Sequence, residues 1–430
     1  MQAAVATSVA GKAVEMVTLL LLATLVPRAL GPSAYGRFAV PLTIVTLGSL
    51  AITLGGPTLM GRFVPAAPVD ERVALARAIG ARLARGRAIQ LAVIVAVAAV
   101  VVIAAPGRFP PLDVALVLAA LALNVATTLA LQVTLGLGRA GPWSLRYPLQ
   151  NAVLIGAVLV LEPLGGDTGA ILAILVSAVV GFVFAGFVVA PTVAATVTTV
   201  EVPPGAIRFG AFQAAGAAFV QFSQRAGVLA VAVLAGSAAE TGFTALAVGI
   251  ALGATYAILQ AFTVSLPHLA DGQATSSPAA AVPAAEAVLR RFAGGLLVAL
   301  VPAAAVAALT LDRVVPAVFG ADYAGAVPAF GPALAVVVLA PLNALVVQTS
   351  ALRLRPEASL QGGIAAAATF LVIAGLAVPP LGAEGGVLAT LAGAAAGSLA
   401  SLHLLPRAAG RITVASFAGA AVVLAMALLS

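Results

Sequence analysis

The sequence predicts an all-α polytopic membrane protein of about twelve transmembrane helices, with a thirteenth apolar segment at its C-terminal end. Three observations carry this expectation. Of 430 residues, 62% are hydrophobic and 8% charged, and a mean hydropathy of +1.17 means more apolar surface than one soluble core buries. Runs of roughly 20 apolar residues, long enough to cross about 30 Å of hydrocarbon, recur about every thirty residues. The gaps between them are too small for a separate soluble domain.

Taken in order, the runs are 5–27, 38–60, 88–105, 114–136, 147–161, 169–190, 209–234, 243–266, 292–309, 327–349, 360–378, 385–405 and 412–429. The first reads as a retained helix: no basic segment precedes the apolar core 16–25, Lys12 and Glu15 interrupt it, and Leu30-Gly31-Pro32 is not a small-x-small cleavage site. The fifth, 147–161, is short for a bilayer unless its helix begins inside the preceding loop. Between the second and third, the stretch 71–87 sets five arginines in an apolar background and reads as an interfacial helix with its cations toward anionic lipid head groups.

Cations orient the chain. With the N-terminus in the cytoplasm, fifteen of the 21 Lys and Arg fall in inside loops, Arg146, Arg353 and Arg355 among them, and only Arg28, Arg37, Arg108 and Arg313 fall outside. The net charge of +7 is thereby explained as topology, and nucleic acid is not expected as a partner. The chain has no cysteine and two histidines, His268 and His403, which argues against disulfide, thiol, haem and zinc chemistry, so no cofactor is expected. The outside acids Asp113, Glu162, Asp167, Glu240, Asp312, Asp322 and Glu384 lie mostly singly in short turns, which argues against a membrane-embedded glycosyltransferase or ligase.

Three charged residues, Lys12, Glu15 and Arg225, fall deep inside predicted spans. A charge at that depth costs about 2.5–3.5 kcal/mol even on the lenient insertion scale, so such residues face protein or water and mark function. Uncharged polar residues at similar depth, Asn124, Gln132, Gln150, Asn151, Gln213, Gln221, Gln224, Gln260, Asn343 and Gln348, suit sugar hydroxyls but serve equally as interhelical glue. Gln221 and Gln224 lie within one turn of Arg225 and rank first for substrate contact, with Gln213 behind them.

A faint doubling runs through the chain. Leu30-Gly31-Pro32-Ser33-Ala34-Tyr35-Gly36-Arg37-Phe38 follows the first span and Ala235-Gly236-Ser237-Ala238-Ala239-Glu240-Thr241-Gly242-Phe243 the seventh. Both are small-residue hairpins, and both follow the spans that carry deep charge. The expected organisation is an N-terminal six-helix lobe over 1–200, a C-terminal one over 201–405 and an additional hydrophobic segment over 406–430, with 191–205 as the linker.

The segment Leu30-Gly31-Pro32-Ser33-Ala34-Tyr35-Gly36 resembles the signature loop of the bacterial polysaccharide exporters, the family that includes O-antigen and related lipid-linked oligosaccharide flippases. Arg62-Phe63-Val64-Pro65, Phe319-Gly320-Ala321-Asp322-Tyr323 and the run from Pro379-Pro380-Leu381-Gly382 to Thr390 agree with it in order. The resemblance implies two six-helix lobes around a central cavity that opens alternately to either side, lined by the first and seventh helices. One departure stands out. The family commonly follows the seventh-helix cation with Asp, whereas Gln221-Phe222-Ser223-Gln224-Arg225-Ala226-Gly227 has no acid.

The expectation is a non-enzymatic transporter of the inner membrane that flips a polyprenyl-diphosphate-linked oligosaccharide. Membrane lipids are its surroundings, and a polysaccharide polymerase is the partner such a function would call for. Arg225 and Lys12 would hold the diphosphate. Glu15, three residues from Lys12 on the same helix, would couple transport. The competing reading of Lys12 and Glu15 is an ion pair that only fixes packing, and Lys12 is near enough to the start of its span to reach the interface. A cation-coupled multidrug exporter of the same superfamily is the alternative function.

Overall fold

A computed structural model of the chain describes residues 2–53, 55–104, 110–194, 200–203, 206–271, 278–353, 355–403 and 410–429. The side chains of Lys12, Gln213 and Gln260, together with that of His268, lie outside the described ones. The described residues form α1 (Gln2–Thr53), α2 (Gly56–Phe63), α3 (Arg72–Ala104), α4 (Pro111–Gly136), α5 (Ala140–Ala194), α6 (Ala206–Arg225) and α7 (Gly227–Leu234). They continue with α8 (Ala238–Asp271), α9 (Pro278–Ala308), α10 (Leu311–Phe319), a 3-10 turn (Ala321–Ala326), α11 (Val327–Leu352), α12 (Pro356–His403) and α13 (Gly410–Ala427). Among them nine helices are long and apolar enough to cross a membrane, ten if the bent pair α6 and α7 is one span.

Three helices are double length. At 1.5 Å per residue α1, α5 and α12 would each unroll to about 70–85 Å, more than twice the hydrocarbon thickness. Each turns back at one glycine with a left-handed backbone, Gly31 (φ 72°), Gly166 (φ 57°) and Gly382 (φ 53°). Counting these as two crossings each recovers all thirteen apolar segments of the sequence, and α13, at 18 residues, has the length of one crossing.

The chain divides into two compact units. Unit 1 comprises Met1–Ala29 and Val40–Ala214, and unit 2 comprises Leu30–Ala39 and Ala215–Ser430. In unit 1, α4 packs along α5 and also contacts α2 and α3. Leu59, Met60, Val64, Leu75, Ile79 and Leu131 are buried together at one end. The stretch read as an interfacial helix, 71–87, supplies the first half of α3, continuous with the third span, and Ala74, Leu75, Ala76, Ile79 and Leu83 on it are buried against protein. Arg77, Arg82 and Arg85 remain exposed on the other side.

In unit 2, α11 is the central helix, with 83% of its most apolar stretch buried and with α8, α9, α12 and α13 packed around it. One end of α11 is tied to α9 by a two-pronged ion pair, Arg353 Nη2 to Glu286 Oε2 at 2.8 Å and Nε to Oε1 at 2.5 Å. Glu286 is 4% exposed. The sequence reading began this span at Phe292 and so missed a second buried acid.

Two of the later motif segments, the hairpin 235–243 and the signature loop lie together in unit 2. A Cβ on Gly36 would collide with the Ala238 carbonyl, and one on Gly242 with the Pro32 carbonyl, so the two hairpins pack backbone against backbone and admit only glycine at these positions. Phe243 meets Tyr323 edge-on at 6.0 Å, and Tyr323 lies 6.1 Å from Phe319. Glu240, in the first turn of α8, accepts the Ala383 amide at 2.6 Å just past the Gly382 turn. Unit 1 fastens its own hairpin in a similar way: Thr168 Oγ1, two residues past the Gly166 turn, donates to Asp113 Oδ1 in the first turn of α4 at 2.8 Å. The pairing of the Gly166 and Gly382 turns is a second doubling that the sequence reading did not find.

Gly242→Val is expected to prevent recovery of monodisperse protein in detergent, since neither backbone can retreat. Glu240→Ala is expected to fold with a loss of about 1–3 kcal/mol, the cost of leaving a buried amide without an acceptor, read as a lowered Tm.

Candidate functional site

Arg225 occupies a break in the seventh span. The sequence reading took 209–234 as one continuous helix; instead α6 ends at Arg225, α7 begins at Gly227, and the two axes differ by 51°. The backbone bonds at the junction are Ala226 N to Phe222 O and Ala230 N to Ala226 O, both 2.8 Å. The guanidinium thus sits in the last turn of α6, where the helix dipole favours a cation. Its Nε donates to Gln221 Oε1 at 3.1 Å. Gln221, Gln224 and Arg225 are all partly exposed, while Ser223 between them is buried.

Small residues on the far half of α12 allow the bend. A Cβ on Gly227 would stand 3.1 Å from the Gly386 carbonyl and 3.2 Å from Thr390 Oγ1. Phe222 packs edge-on against Phe370 at 5.7 Å and holds α6 on the near half of α12. The break is therefore supported on both sides of Arg225 by unit 2 itself.

Unit 1 contains the feature that sequence reasoning missed. Arg146, read as an inside-loop cation, is 2% exposed and is the largest fully buried side chain described. Helix α5 begins at Ala140, so the short fifth span does start inside the preceding loop, and Arg146 is drawn into the helix with it. Its Nε donates to Gln150 Oε1 at 3.1 Å and its Nη2 to Asn124 Oδ1 at 3.2 Å, while Gln150 Nε2 donates to the same Asn124 oxygen at 3.0 Å. The guanidinium carbon lies 4.8 Å from the Tyr147 ring centroid. Its Nη1 has no hydrogen-bond partner among the described residues. The i,i+4 spacing of Arg146 and Gln150, together with a span too short to cross alone, was the available signal.

Glu15 belongs to the same unit and is 4% exposed. Helix α1 is held against α5 by small-residue contact, a Cβ on Gly11 falling 2.6 Å from Ser144 Oγ, and by Asn151 Nδ2 donating to Thr18 Oγ1 at 3.3 Å. Thr18 Oγ1 in turn donates to the Glu15 carbonyl at 2.9 Å. Asn124, Gln150 and Asn151 are thus glue within unit 1. Gln132, 1% exposed, serves a helix break instead. Its Nε2 donates to the Thr53 carbonyl at 3.2 Å, where the second span is interrupted between α1 and α2.

Of the residues expected at the site, the structure joins Gln221 to Arg225 in unit 2 and places Lys12 and Glu15 one turn apart on α1. Gln213 lies in α6 on the unit 1 side of the division. No cluster of acids and histidines able to hold a metal ion occurs among the described residues.

No protein-family model matches the sequence, and no curated protein matches it. Solved structures do. The lipid II flippase MurJ in an inward closed conformation superposes with a TM-score of 0.65 at 9% identity, over 98% of this chain and 92% of that one. The Vibrio cholerae MATE transporter VcmN in its bent form gives 0.59 at 15% over 100% and 98%. A MOP superfamily transporter from Pyrococcus furiosus, described as having a binding pocket of reversed polarity, gives 0.54 at 16% over 98% and 96%. The chain therefore has the fold of the MOP superfamily transporters over nearly its whole length.

Gln132→Leu is expected to lower the Tm of purified protein by the equivalent of about 1–3 kcal/mol, because it leaves the Thr53 carbonyl without its donor at a helix break. Gln132→Glu is not expected to rescue it, since a carboxylate cannot donate.

Proposed function

We propose that the chain is a transporter that flips a polyprenyl-diphosphate-linked oligosaccharide from the cytoplasmic to the outer leaflet of the inner membrane, in polysaccharide biosynthesis or export. The observation that supports this most is Arg225 at the break of the seventh span. A permanent cation beside a discontinuity in a membrane helix is an arrangement transporters use for charged substrates, and the guanidinium fork matches phosphate oxygens in pairs. Gln221, bonded to Arg225 Nε, orients the fork. Gln224 and Gln213 offer amides to sugar hydroxyls. On α1, the Lys12 ammonium pairs with Glu15 in the unloaded protein and turns to phosphate when substrate is present, which makes Glu15 the coupling residue. The sugar head crosses by alternating access while the polyprenyl tail stays in lipid. The cation bias of the loops puts the N-terminus in the cytoplasm, and a polymerase acting on the delivered oligosaccharide is the partner this activity implies.

The likeness in fold to the flippase MurJ supports a lipid-linked substrate, and the likeness to MATE transporters supports the alternative, a cation-coupled multidrug exporter. A cationic drug calls for an available buried carboxylate. Two buried acids are described, Glu15 and Glu286, and Glu286 is engaged by Arg353. The anionic substrate is therefore the better fit.

In proteoliposomes carrying a fluorescent undecaprenyl-diphosphate disaccharide, Arg225→Ala is expected to slow flipping by about 10–100-fold, the equivalent of losing charge-assisted hydrogen bonds to phosphate, and Arg225→Lys by less. Unchanged flipping in Arg225→Ala overturns the reading. Efflux of a cationic dye that Glu15→Gln abolishes and Arg225→Ala spares establishes the exporter instead.

A further inference from the structure

Helix α3 is 33 residues long, about 50 Å at 1.5 Å per residue, and so outruns the hydrocarbon it crosses. Its uncharged apolar part, 88–104, accounts for about 25 Å of that length, and none of it is buried. Leu91, Ile94, Ala98 and Val102 are half-buried along one side. On another side Ile89, Val93, Ala96, Val100 and Ile103, three or four residues apart, form one exposed face, its larger side chains running from 57% exposed at Val93 to 79% at Ile103.

Followed toward the start of the helix at the same spacing, that face arrives at Arg85 and then Arg82, both exposed. They stand three and six residues before Ala88, about 5 and 9 Å beyond the apolar stretch, where head groups occupy about 5–7 Å on each side of the hydrocarbon. Their long side chains reach a lipid phosphate from there. Leu75, Ile79 and Leu83 are buried in unit 1 on the same stretch, which fixes the depth of both arginines. Helix α3 holds no acid to neutralise them. Gly86 lies between them and Ile89, and a Cβ there would meet nothing within 4 Å, which leaves room for a head group against the helix backbone. Topology requires only that cations lie in an inside loop. It does not require them to line up with an exposed apolar face.

We propose that this face of α3 binds an anionic phospholipid of the cytoplasmic leaflet: Arg82 and Arg85 hold its phosphate, and Ile89, Val93 and Ala96 carry an acyl chain. One leaflet is about 15 Å of hydrocarbon, or ten residues of helix, which takes the chain as far as Ala96. The guanidiniums pair with phosphate oxygens, and the chain gives the membrane half of α3 a contact that protein does not. The occupant has a small head group, since from Arg72 to Ile89 the helix has no amide or hydroxyl side chain to offer a sugar. The site depends on unit 1 alone and not on what the transporter carries.

The chain has no cysteine, so single-cysteine reporters are specific. Ala96→Cys on the face, and Val95→Cys at the same depth but off it, 47% exposed in the parent, are labelled with bimane and reconstituted in phosphatidylcholine vesicles. A small fraction of the lipid is phosphatidylglycerol or phosphatidylcholine brominated midway along its chains, which quenches bimane at contact. An arginine near the surface is worth about a fivefold preference for an anionic lipid. At position 96 brominated phosphatidylglycerol is therefore expected to reach a given quenching at one-fifth or less of the mole fraction that brominated phosphatidylcholine needs, and at position 95 the two lipids are expected to quench alike. Arg82→Gln or Arg85→Gln is expected to lower the preference at 96, the two together to abolish it, and Lys at both positions to keep most of it. Equal preference at 95 and 96 means diffuse attraction to the leaflet and overturns the proposal, as does a preference that survives the double Gln variant. Displacement of brominated phosphatidylglycerol by undecaprenyl diphosphate at a tenth of its mole fraction assigns the face to the transported lipid and overturns it as well.

Discussion

A membrane helix that stops being a helix exposes carbonyls and amides to a medium that cannot hydrogen-bond them, and the cost of that exposure governs how this chain is built. Four of its interruptions are met by a specific side chain. Gln132 of α4 donates to Thr53 at the break of the second span, and Glu240 of α8 accepts from Ala383 beyond the turn of α12. Asp113 of α4 accepts from Thr168 beyond the turn of α5, and Arg225 closes α6 with its charge at the C-terminal end of the dipole. Their placement then decides where the chain can bend.

The two units meet the same constraint in different ways. Unit 2 uses glycines that bring backbones into contact, Gly36 against Ala238 and Gly227 against Gly386, and a charged clamp between Glu286 and Arg353. Its interior is otherwise aromatic and aliphatic, built around α11. Unit 1 instead carries a set of amides and hydroxyls that runs from Thr18 to Asn151, and from Ser177 through Gln150 and Asn124 to Arg146. A buried guanidinium is tolerable only in such company, because its N–H groups need acceptors that hydrocarbon lacks. The polar chemistry of the molecule is therefore unevenly divided: a partly exposed cation at a helix break in one unit, a buried cation within a neutral lattice in the other.

Identity of 9–16% to the superposed transporters, over nearly the whole length of each chain, fits this picture. Most positions in a lipid-facing helix need only be apolar, and many residues satisfy that. What must persist is the order of spans, the turns between them and the small residues at close contacts.

The sequence by itself determined the class of the protein and the thirteen apolar segments, because span length is a local property that can be read one stretch at a time. It also marked the small-residue hairpins. Only the tertiary structure decided that one face of 71–87 is buried, that the seventh span is broken at Arg225, and that Glu286 and Arg146 are buried. Those facts depend on which helices pack together and where each helix begins, and Arg146 reads as a loop cation until α5 is seen to start at Ala140, with Asn124 and Gln150 placed to receive its fork. Burial is a property of the partner as much as of the residue, and the partner lies 22 residues away along the chain for Asn124 and 67 for the pair of Glu286 with Arg353.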